Sequence, residues 1–220
     1  IEYQNELIKM LKINSGKGQN EADALLDYAF SGSEFLAEIL ERLIFELRRK
    51  FEREKKNSVS NLKWLFLEQN QLLILEKEFK QALEKDDRIA LELFKISAQT
   101  GLELAPISRR VIRKNISRLK LVLPERLIEL FAQDLKTSVV IQELKRAGLL
   151  KLALPELDSA FCLGQRDGYH IWTVGWHSIR CLERIEEIGK EPEFGDDPEI
   201  NWPVLKLAGL IHDLGKGNNM

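Results

Sequence analysis

The sequence predicts an all-α fold, and three observations support this class. Apolar residues recur at intervals of three and four along most of the 220 residues. The breaks between these periodic segments are short and rich in Gly, Pro, Asn, Asp and Ser, which is the composition of helix boundaries. No stretch approaches the ~20 consecutive apolar residues that span a bilayer. We therefore expect helices joined by short loops and no contact with a membrane.

The periodic segments predict the helices in chain order. The clearest is "EFLAEILERLIFELRRKFEREKK", in which six apolar residues form one stripe that we expect to be buried, with Glu, Lys and Arg on the exposed face: Phe35, Leu36, Ile39, Leu40, Leu43 and Leu47. The full set of predicted helices covers residues 1–13, 20–53, 86–100, 106–117, 124–132, 137–147, 171–189 and 203–215. One stretch, "KWLFLEQNQLLILE", has two short apolar runs around "EQNQ" and predicts a small β-hairpin.

Composition excludes several classes of protein. Charged residues make up 31% of the chain and the formal net charge is −2, so the chain lacks the basic excess of a dedicated nucleic-acid-binding protein. Its two cysteines, Cys162 and Cys181, have no CxxC spacing, which indicates neither a disulfide framework nor a zinc site built on thiolates. We expect both to be small buried residues in a reducing compartment, and the absence of a leader-like start favours the cytoplasm.

The three histidines all lie in the last quarter of the chain, at positions 170, 177 and 212. His170 and His177 are seven residues apart and would share one face of a helix. His212 adjoins Asp213 in the apolar segment "PVLKLAGLIHDLGK", where a carboxylate is costly to bury unless a hydrogen bond, an ion pair or a metal compensates it. Imidazole and carboxylate ligands from two helices suit a divalent ion and leave positions open for water and phosphate.

Two interpretations of the His-Asp pair remain. In the first, His177, His212 and Asp213 hold a divalent ion, and Lys216, one turn beyond Asp213, contacts a substrate phosphate. In the second, Asp213 forms an ion pair with Lys216 and His212 is a hydrogen-bonded core residue. The occurrence of a histidine, then a His-Asp pair, then Gly-Lys three residues later favours the metal site.

The segments "WHSIRCLE" and "LAGLIHDLGKG" resemble the start of an HD-superfamily metal-dependent phosphohydrolase domain. The resemblance implies four ligands in the order His, His-Asp and Asp, of which His177, His212 and Asp213 would be the first three. The fourth would lie downstream, and only "LGKGNNM" follows the pair, so we expect an incomplete domain that is nearly inactive alone. The acidic pair usual before the first ligand is replaced here by Gly175 and Trp176.

Two HD families resemble the chain. The longer match is to bifunctional PII uridylyltransferase/uridylyl-removing enzymes, through "YHIWTVGWHSIRCL", "NWPVLKLAGLIHDLGKG" and the N-terminal "IEYQNELIKMLKI". It implies a helical linker subdomain at 1–80, a helical body at 81–157 and an incomplete HD domain at 158–220. It also implies a hydrolase that removes uridylyl groups from a PII-type signalling protein, using Mn or Mg, or else Fe or Zn. Asp213 and Lys216 would be catalytic, and His170 would lie behind the metal or against substrate phosphate.

The second family is the CCA-adding tRNA nucleotidyltransferases, whose neck and body helices resemble the chain from about Asp86 onward. Its supporting feature is "ISRRVIRKNISRLK", where Arg109, Arg110, Arg113 and Lys114 would meet nucleotide or tRNA phosphates, although such helices are more often only solvated. A third hypothesis is a noncatalytic helical scaffold with a degenerate HD site. Salt-dependent tRNA binding would favour the second hypothesis, and absence of bound metal would favour the third.

Overall fold

The computed structural model describes residues 2–13, 21–51, 57–59, 61–86, 88–119, 127–132, 134–163 and 172–215. Within these ranges the chain is mostly helical, which confirms the predicted class, with one small antiparallel sheet added. The elements in order are α1 (Glu2–Leu11), α2 (Glu21–Phe51), β1 (Asn57–Ser58), β2 (Leu65–Glu68), β3 (Gln71–Ile74), α3 (Glu76–Leu83), α4 (Ile89–Thr100), α5 (Pro106–Lys114), α6 (Ile116–Leu119), a 3₁₀ helix (Leu127–Phe131), α7 (Thr137–Arg146), α8 (Leu150–Ala153), α9 (Pro155–Ala160), α10 (Val174–Ile188), α11 (Pro192–Gly195) and α12 (Trp202–Ile211).

The predicted hairpin is present as β2 and β3. Its strands pair antiparallel from Leu65 opposite Ile74 to Glu68 opposite Gln71. The two connecting residues, Gln69 and Asn70, have φ of 51° and 58°, the left-handed conformation that a two-residue turn needs to match the twist of its strands. Strand β1, which the sequence led us to interpret as a helix boundary, adds a third strand beside β2.

Helix α2 has its expected length, but the orientation expected from its apolar stripe is wrong. Phe35 and Leu36 are 63% and 60% exposed, and Leu40, Leu43 and Leu47 are exposed with them. The helix instead turns carboxylates toward the body, where Glu34 pairs with Lys145, Glu38 with Arg113 and Glu41 with Arg109. Ion pairs with basic residues on α5 and α7 thus turn the acidic face of α2 inward. The apolar periodicity of α2 does not indicate these pairs.

The core runs through both the predicted body and the predicted HD segment. One cluster of buried apolar side chains extends from Trp64 through Phe94 and Leu144 to Leu210. Helices α10 and α12 pack against each other, and α10 also packs against α7. The carboxylate of Glu186 on α10 accepts hydrogen bonds from the backbone N–H and the hydroxyl of Ser138, in the first turn of α7, at 2.8 and 2.6 Å. These contacts fix the pair of helices that carries the candidate site. Among the described helices, none is both long enough and apolar enough to cross a bilayer.

Candidate metal centre

Helix α10 carries the first predicted ligand, His177, in its first turn. The helix begins after Thr173, whose side chain accepts a hydrogen bond from the backbone N–H of Trp176 and so satisfies one of the free donors of the first turn. Gly175 lies against Phe161, where a Cβ atom would come within 2.7 Å of the Phe161 backbone. The residues that replace the family's acidic pair are therefore packing residues, since Trp176 also stacks edge-on against the Phe161 ring at 5.2 Å.

Helix α12 carries His212 and Asp213 at its C-terminal end. Asn201 caps the start by accepting a hydrogen bond from Val204 N–H, and Pro203 lies in the first turn, where its missing N–H costs nothing. The helix is not buried on all sides as its composition led us to expect, because Val204 and Leu205 are exposed. Lys206 is buried instead, and its Nζ donates to the carbonyl oxygens of Ala132 and Leu135, both at 2.7 Å.

The structure brings His177, His212 and Asp213 together from these two helices. Asp213 Oδ2 lies 3.6 Å from His177 Nε2 and 3.5 Å from His212 Nε2. The two imidazole rings are 5.3 Å apart between centroids. Asp213 is buried, whereas His212 is on the surface and is not the core residue of the second interpretation. The three predicted ligand atoms therefore lie around one partly exposed point between α10 and α12.

The hydrogen bond of His212 fixes its tautomer. His212 Nδ1 lies 2.8 Å from the carbonyl oxygen of Gly209, and because a carbonyl only accepts, Nδ1 carries the proton. Nε2 is then the nitrogen that faces Asp213 Oδ2, at 3.5 Å. A histidine whose Nδ1–H is held by a backbone carbonyl is the arrangement commonly found behind an Nε2 metal ligand.

Cys181 is a member of the cluster that the sequence-based interpretation missed. Its Sγ lies 3.5 Å from His177 Nε2, one turn further along α10. The ligand atoms of His177, Cys181 and His212 all lie within 4.8 Å of one another. We expected a small buried apolar residue, and the side chain is only half-buried and next to a predicted ligand. The signal was available in the sequence, since His-x-x-x-Cys on a helix places both side chains on one face.

Two predicted site residues, His170 and Lys216, lie outside the described residues, so their proposed roles stay predictions. The ion pair between Asp213 and Lys216 in the second interpretation stays untested for the same reason. The chain nevertheless offers enough donors for a divalent ion without either residue, because two imidazoles, a thiol and a carboxylate lie at ligand-like separations.

The basic residues proposed to contact phosphate lie on α5, away from this centre. Arg109 is 1% exposed and forms paired hydrogen bonds with the buried Glu143, at 2.9 Å from Nε and 2.8 Å from Nη2. Desolvation opposes the charge of Arg109, but Glu143 and Glu41 outweigh it and raise the pKa of the guanidinium. Arg113 pairs with Glu38 on α2. These arginines are held by carboxylates of the chain itself.

The remaining two basic residues of that set, Lys114 and Arg110, are exposed. The ammonium of Lys114 pairs with the carboxylate of Glu76 on α3 at 3.1 Å. Hydrogen bonds from Lys80 first and Lys114 second lower the pKa of Glu76. Arg110 points to the surface of α5. Contact of these side chains with a nucleic acid stays a prediction. A phosphate that bound Lys114 would have to replace the carboxylate of Glu76.

The described residues form a mostly helical chain in which His177, His212 and Asp213 converge from two packed helices, and comparison with known proteins adds the following relatives. The chain is 30% identical to a bifunctional uridylyltransferase/uridylyl-removing enzyme of Streptomyces coelicolor over 141 residues, which cover 61% of the chain and 16% of that enzyme. It is 22% identical to the enzyme of the same name from Novosphingobium aromaticivorans over 99% of the chain and 26% of that enzyme. The resemblance to this family is thereby confirmed.

The more distant resemblance is also confirmed, because a multifunctional CCA protein of Teredinibacter turnerae is 35% identical over 81 residues, 36% of the chain and 17% of that protein. No family profile and no solved structure matches the chain. The chain spans between about a sixth and a quarter of the length of these curated relatives. The relatives are named as enzymes, whereas the reaction of this chain is a separate question.

Proposed function

We propose that the chain contributes the metal-binding corner of an HD-type phosphodiester hydrolase, and that this hydrolase removes uridylyl groups from a PII-type signalling protein. The observation that carries the proposal is the convergence of His177, His212 and Asp213 at 3.5 to 3.6 Å from two helices separated in sequence. The relatives that carry a uridylyl-removing activity in their names support the substrate class.

The residues of the chain fit a divalent ion. Asp213 contributes a negative charge and His212 contributes Nε2, which its Nδ1 hydrogen bond to Gly209 keeps directed at the shared point. When bound, a divalent ion supplies Lewis-acid polarisation of phosphate and activation of water. The half-exposed position of His177 and His212 leaves one side of the cluster open to a substrate.

The residues that precede His177 in this chain are packing residues. Where the family has acidic residues before His177, this chain has Gly175 and Trp176 packed on Phe161, so no carboxylate from that position reaches the site. Proton transfer to or from the attacking water would therefore fall to Asp213 or to Lys216. Asp213 is the buried carboxylate nearest the two imidazoles, which makes it our candidate for this role.

The proposal is tested by metal analysis and by hydrolysis of bis-nitrophenyl phosphate with a chain extended through the segment that supplies the fourth ligand in the family. We expect metal binding and turnover in the extended chain, and loss of both in His212→Ala and Asp213→Ala, since each substitution removes a direct ligand. His170→Ala should reduce turnover less. Full activity in Asp213→Ala would exclude this mechanism.

A matched control separates the site from the fold. Arg180 on α10 pairs with Glu183 on the surface at 2.7 Å, so Arg180→Ala changes the same helix without touching the cluster. We expect this variant to retain metal and activity. Removal of a uridylyl group from a modified PII-type protein, tested beside the small substrate, then decides whether the substrate assignment holds independently of the hydrolase chemistry.

A second candidate function is the body of a CCA-type tRNA nucleotidyltransferase, which the Teredinibacter relative favours. Its predicted RNA contacts on α5 include Arg110, which is exposed, and Lys114, which pairs with Glu76. Salt-dependent binding of tRNA that weakens in Arg110→Ala would support this function. Metal binding by His177, His212 and Asp213 without tRNA binding would favour the hydrolase.

A further inference from the structure

We infer that Cys181 is a metal ligand of this centre and that its sulfur makes the centre selective for a zinc-like ion over manganese or magnesium. The inference deepens the proposed function, because it rests on the same metal site and names the class of ion. It concerns a residue of this chain that the HD pattern of His, His-Asp and Asp does not include.

The position of Cys181 follows from the helix. Four residues separate it from His177, so both side chains project from the same face of α10, one turn apart. Its Sγ lies 3.5 Å from His177 Nε2 and belongs to a group of ligand atoms that also contains a ring nitrogen of His212, with all separations within 4.8 Å. The thiol therefore contacts the same nitrogen of His177 that faces Asp213, which is the nitrogen proposed to bind the metal.

The separations match those between ligands of one zinc ion. Tetrahedral zinc with Zn–N of about 2.0–2.1 Å and Zn–S of about 2.3 Å places neighbouring nitrogen and sulfur atoms about 3.5 Å apart and neighbouring nitrogen and oxygen atoms about 3.4 Å apart. The observed separations are 3.5 Å from Cys181 Sγ to His177 Nε2 and 3.6 and 3.5 Å from Asp213 Oδ2 to the two imidazoles. The sulfur of Cys181 and the two imidazoles, all within 4.8 Å of one another, could share one ion, and Asp213 lies beside both imidazoles.

The chemistry of the donor set gives the selectivity. Carboxylate and water ligands suit magnesium and manganese, whereas sulfur with imidazole suits zinc, and manganese is the weakest binder in the divalent series. Adding one sulfur to two imidazoles and a carboxylate therefore raises the affinity for zinc far more than that for manganese. The HD resemblance implies manganese or magnesium first and iron or zinc second, so Cys181 moves the expected metal from the first pair to zinc.

Cobalt(II) provides the direct test, because sulfur bound to cobalt gives a charge-transfer absorption in the near ultraviolet that nitrogen and oxygen ligands do not give. The chain has two cysteines, and both are partly buried, so Cys162 is a matched control. Cys162 Sγ contacts Ser31 Oγ, away from the cluster, at 3.3 Å. We expect the near-ultraviolet band in the wild-type chain and in Cys162→Ser, and its loss in Cys181→Ser with the visible cobalt bands retained.

The outcomes separate the inference from the proposed function. Visible cobalt bands without the near-ultraviolet band in the wild-type chain would overturn the sulfur ligand and leave the His and Asp site standing. Loss of the band in Cys162→Ser, or its persistence in Cys181→Ser, would also overturn it. Absence of every cobalt band would overturn the metal site and the proposed function with it. In Cys162→Ser, Cys181 is the one remaining cysteine, so a near-ultraviolet band in that variant must come from Cys181. The test therefore does not require that Cys181→Ser folds.

A second measurement addresses selectivity. Zinc and manganese affinities are compared in the wild-type chain, Cys181→Ser and Cys162→Ser, with circular dichroism as the check on folding. Loss of an outer partner of a ligand costs about 10- to 100-fold in metal affinity, so loss of the sulfur itself should cost zinc at least that much. Manganese affinity should change only a few-fold. Equal losses for both metals would contradict a selective role for Cys181.

Discussion

Two polar clusters lie at helix junctions of this molecule, and they are completed in different ways. At the junction of α5 and α7, Arg109 supplies a cation that the carboxylate of Glu143 meets with two hydrogen bonds, and both side chains are buried. At the junction of α10 and α12, the chain supplies imidazoles, a thiol and a carboxylate, all of which can bind a cation from outside. Carboxylates of the chain neutralise Arg109 in the first, closed cluster, and we propose that a metal ion binds at the second, open cluster.

The largest effect should come from breaking the closed cluster. Arg109→Met leaves Glu143 buried without its main cation, and breaking a buried pair in this way costs about 3–5 kcal/mol of the free energy of unfolding. Chemical denaturation of the variant measures this loss. The double variant Arg109→Met with Glu143→Met should recover most of the stability, because two apolar side chains of suitable volume replace the pair. A single variant as stable as the wild type would contradict the structural role of this cluster.

The open cluster should respond to metal where the closed one does not. An ion that binds only the folded state at 100 times its Kd stabilises it by about 2.7 kcal/mol. Thermal unfolding with and without zinc should show this gain in the wild-type chain and lose it in Asp213→Ala. Equal stabilisation of both proteins would mean that the metal binds elsewhere.

Lys206, a buried charge outside both clusters, adds to the comparison through its pH dependence. Burial lowers the pKa of Lys206 from its ordinary 10.5, with Glu186 and Asp134 opposing the shift. Between the lowered pKa and 10.5 the unfolded chain binds more protons than the folded chain, so the free energy of unfolding rises with pH by at most about 1.4 kcal/mol per pH unit. Below that window Lys206 stays protonated in both states, so its contribution is constant there and remains at its least favourable level.

Urea denaturation across this pH window measures the effect. Lys206→Met should remove the rise in stability with pH, and Lys151→Met, at an exposed lysine, should keep it. The Lys206 variant should also be less stable overall, since the carbonyls of Ala132 and Leu135 lose their donor. A rise that persists unchanged in Lys206→Met would assign it to another group.

His212→Ala should have the smallest effect on the free energy of unfolding and should still abolish metal binding. The side chain of His212 is 40% exposed and its hydrogen bond to Gly209 lies at the helix end, so His212→Ala should change the free energy of unfolding by about 0.5 kcal/mol or less in the metal-free chain. Metal titration of the same variant should show no binding. A strongly destabilised His212→Ala would place this residue among the structural groups instead.

Much of the fold was predictable because long helices carry a readable period. Helices α4, α7 and α10 lie within a few residues of their expected bounds, and the hairpin was recognised from "EQNQ". The short helices α3, α8, α9 and α11, of four to eight residues, were missed, because so few residues do not establish a period. Pro155 and Pro192 contributed to the error, since we interpreted them as breaks and both lie in the first turn of a helix.

The site was predictable where spacing defined it and unpredictable where packing did. Adjacency of His212 and Asp213 and the position of His177 indicated three side chains that lie close together in the structure, and their role as metal ligands stays a prediction. The sequence indicated the position of Cys181 in the cluster only through its spacing of four from His177, which our prediction did not use. The burial of Arg109 depended on which face of α2 turned inward, and ion pairs with Glu41 and Glu143 made that choice.

The hydrogen bonds of Lys206 have a consequence for the angular alignment of α12. Neighbouring residues of a helix project about 100° apart, so His212 and Asp213 can address one point only within a narrow range of rotation about the helix axis. Lys206 precedes Asp213 by seven residues, about two turns, and therefore projects in nearly the same direction. Its Nζ donates to the carbonyl oxygens of Ala132 and Leu135, just after the 3₁₀ helix. These hydrogen bonds fix the rotation of α12 about its axis, and with it the directions of the His212 and Asp213 side chains. Lys206, which is not one of the proposed ligands, thus sets the direction in which the two proposed ligands of this helix project.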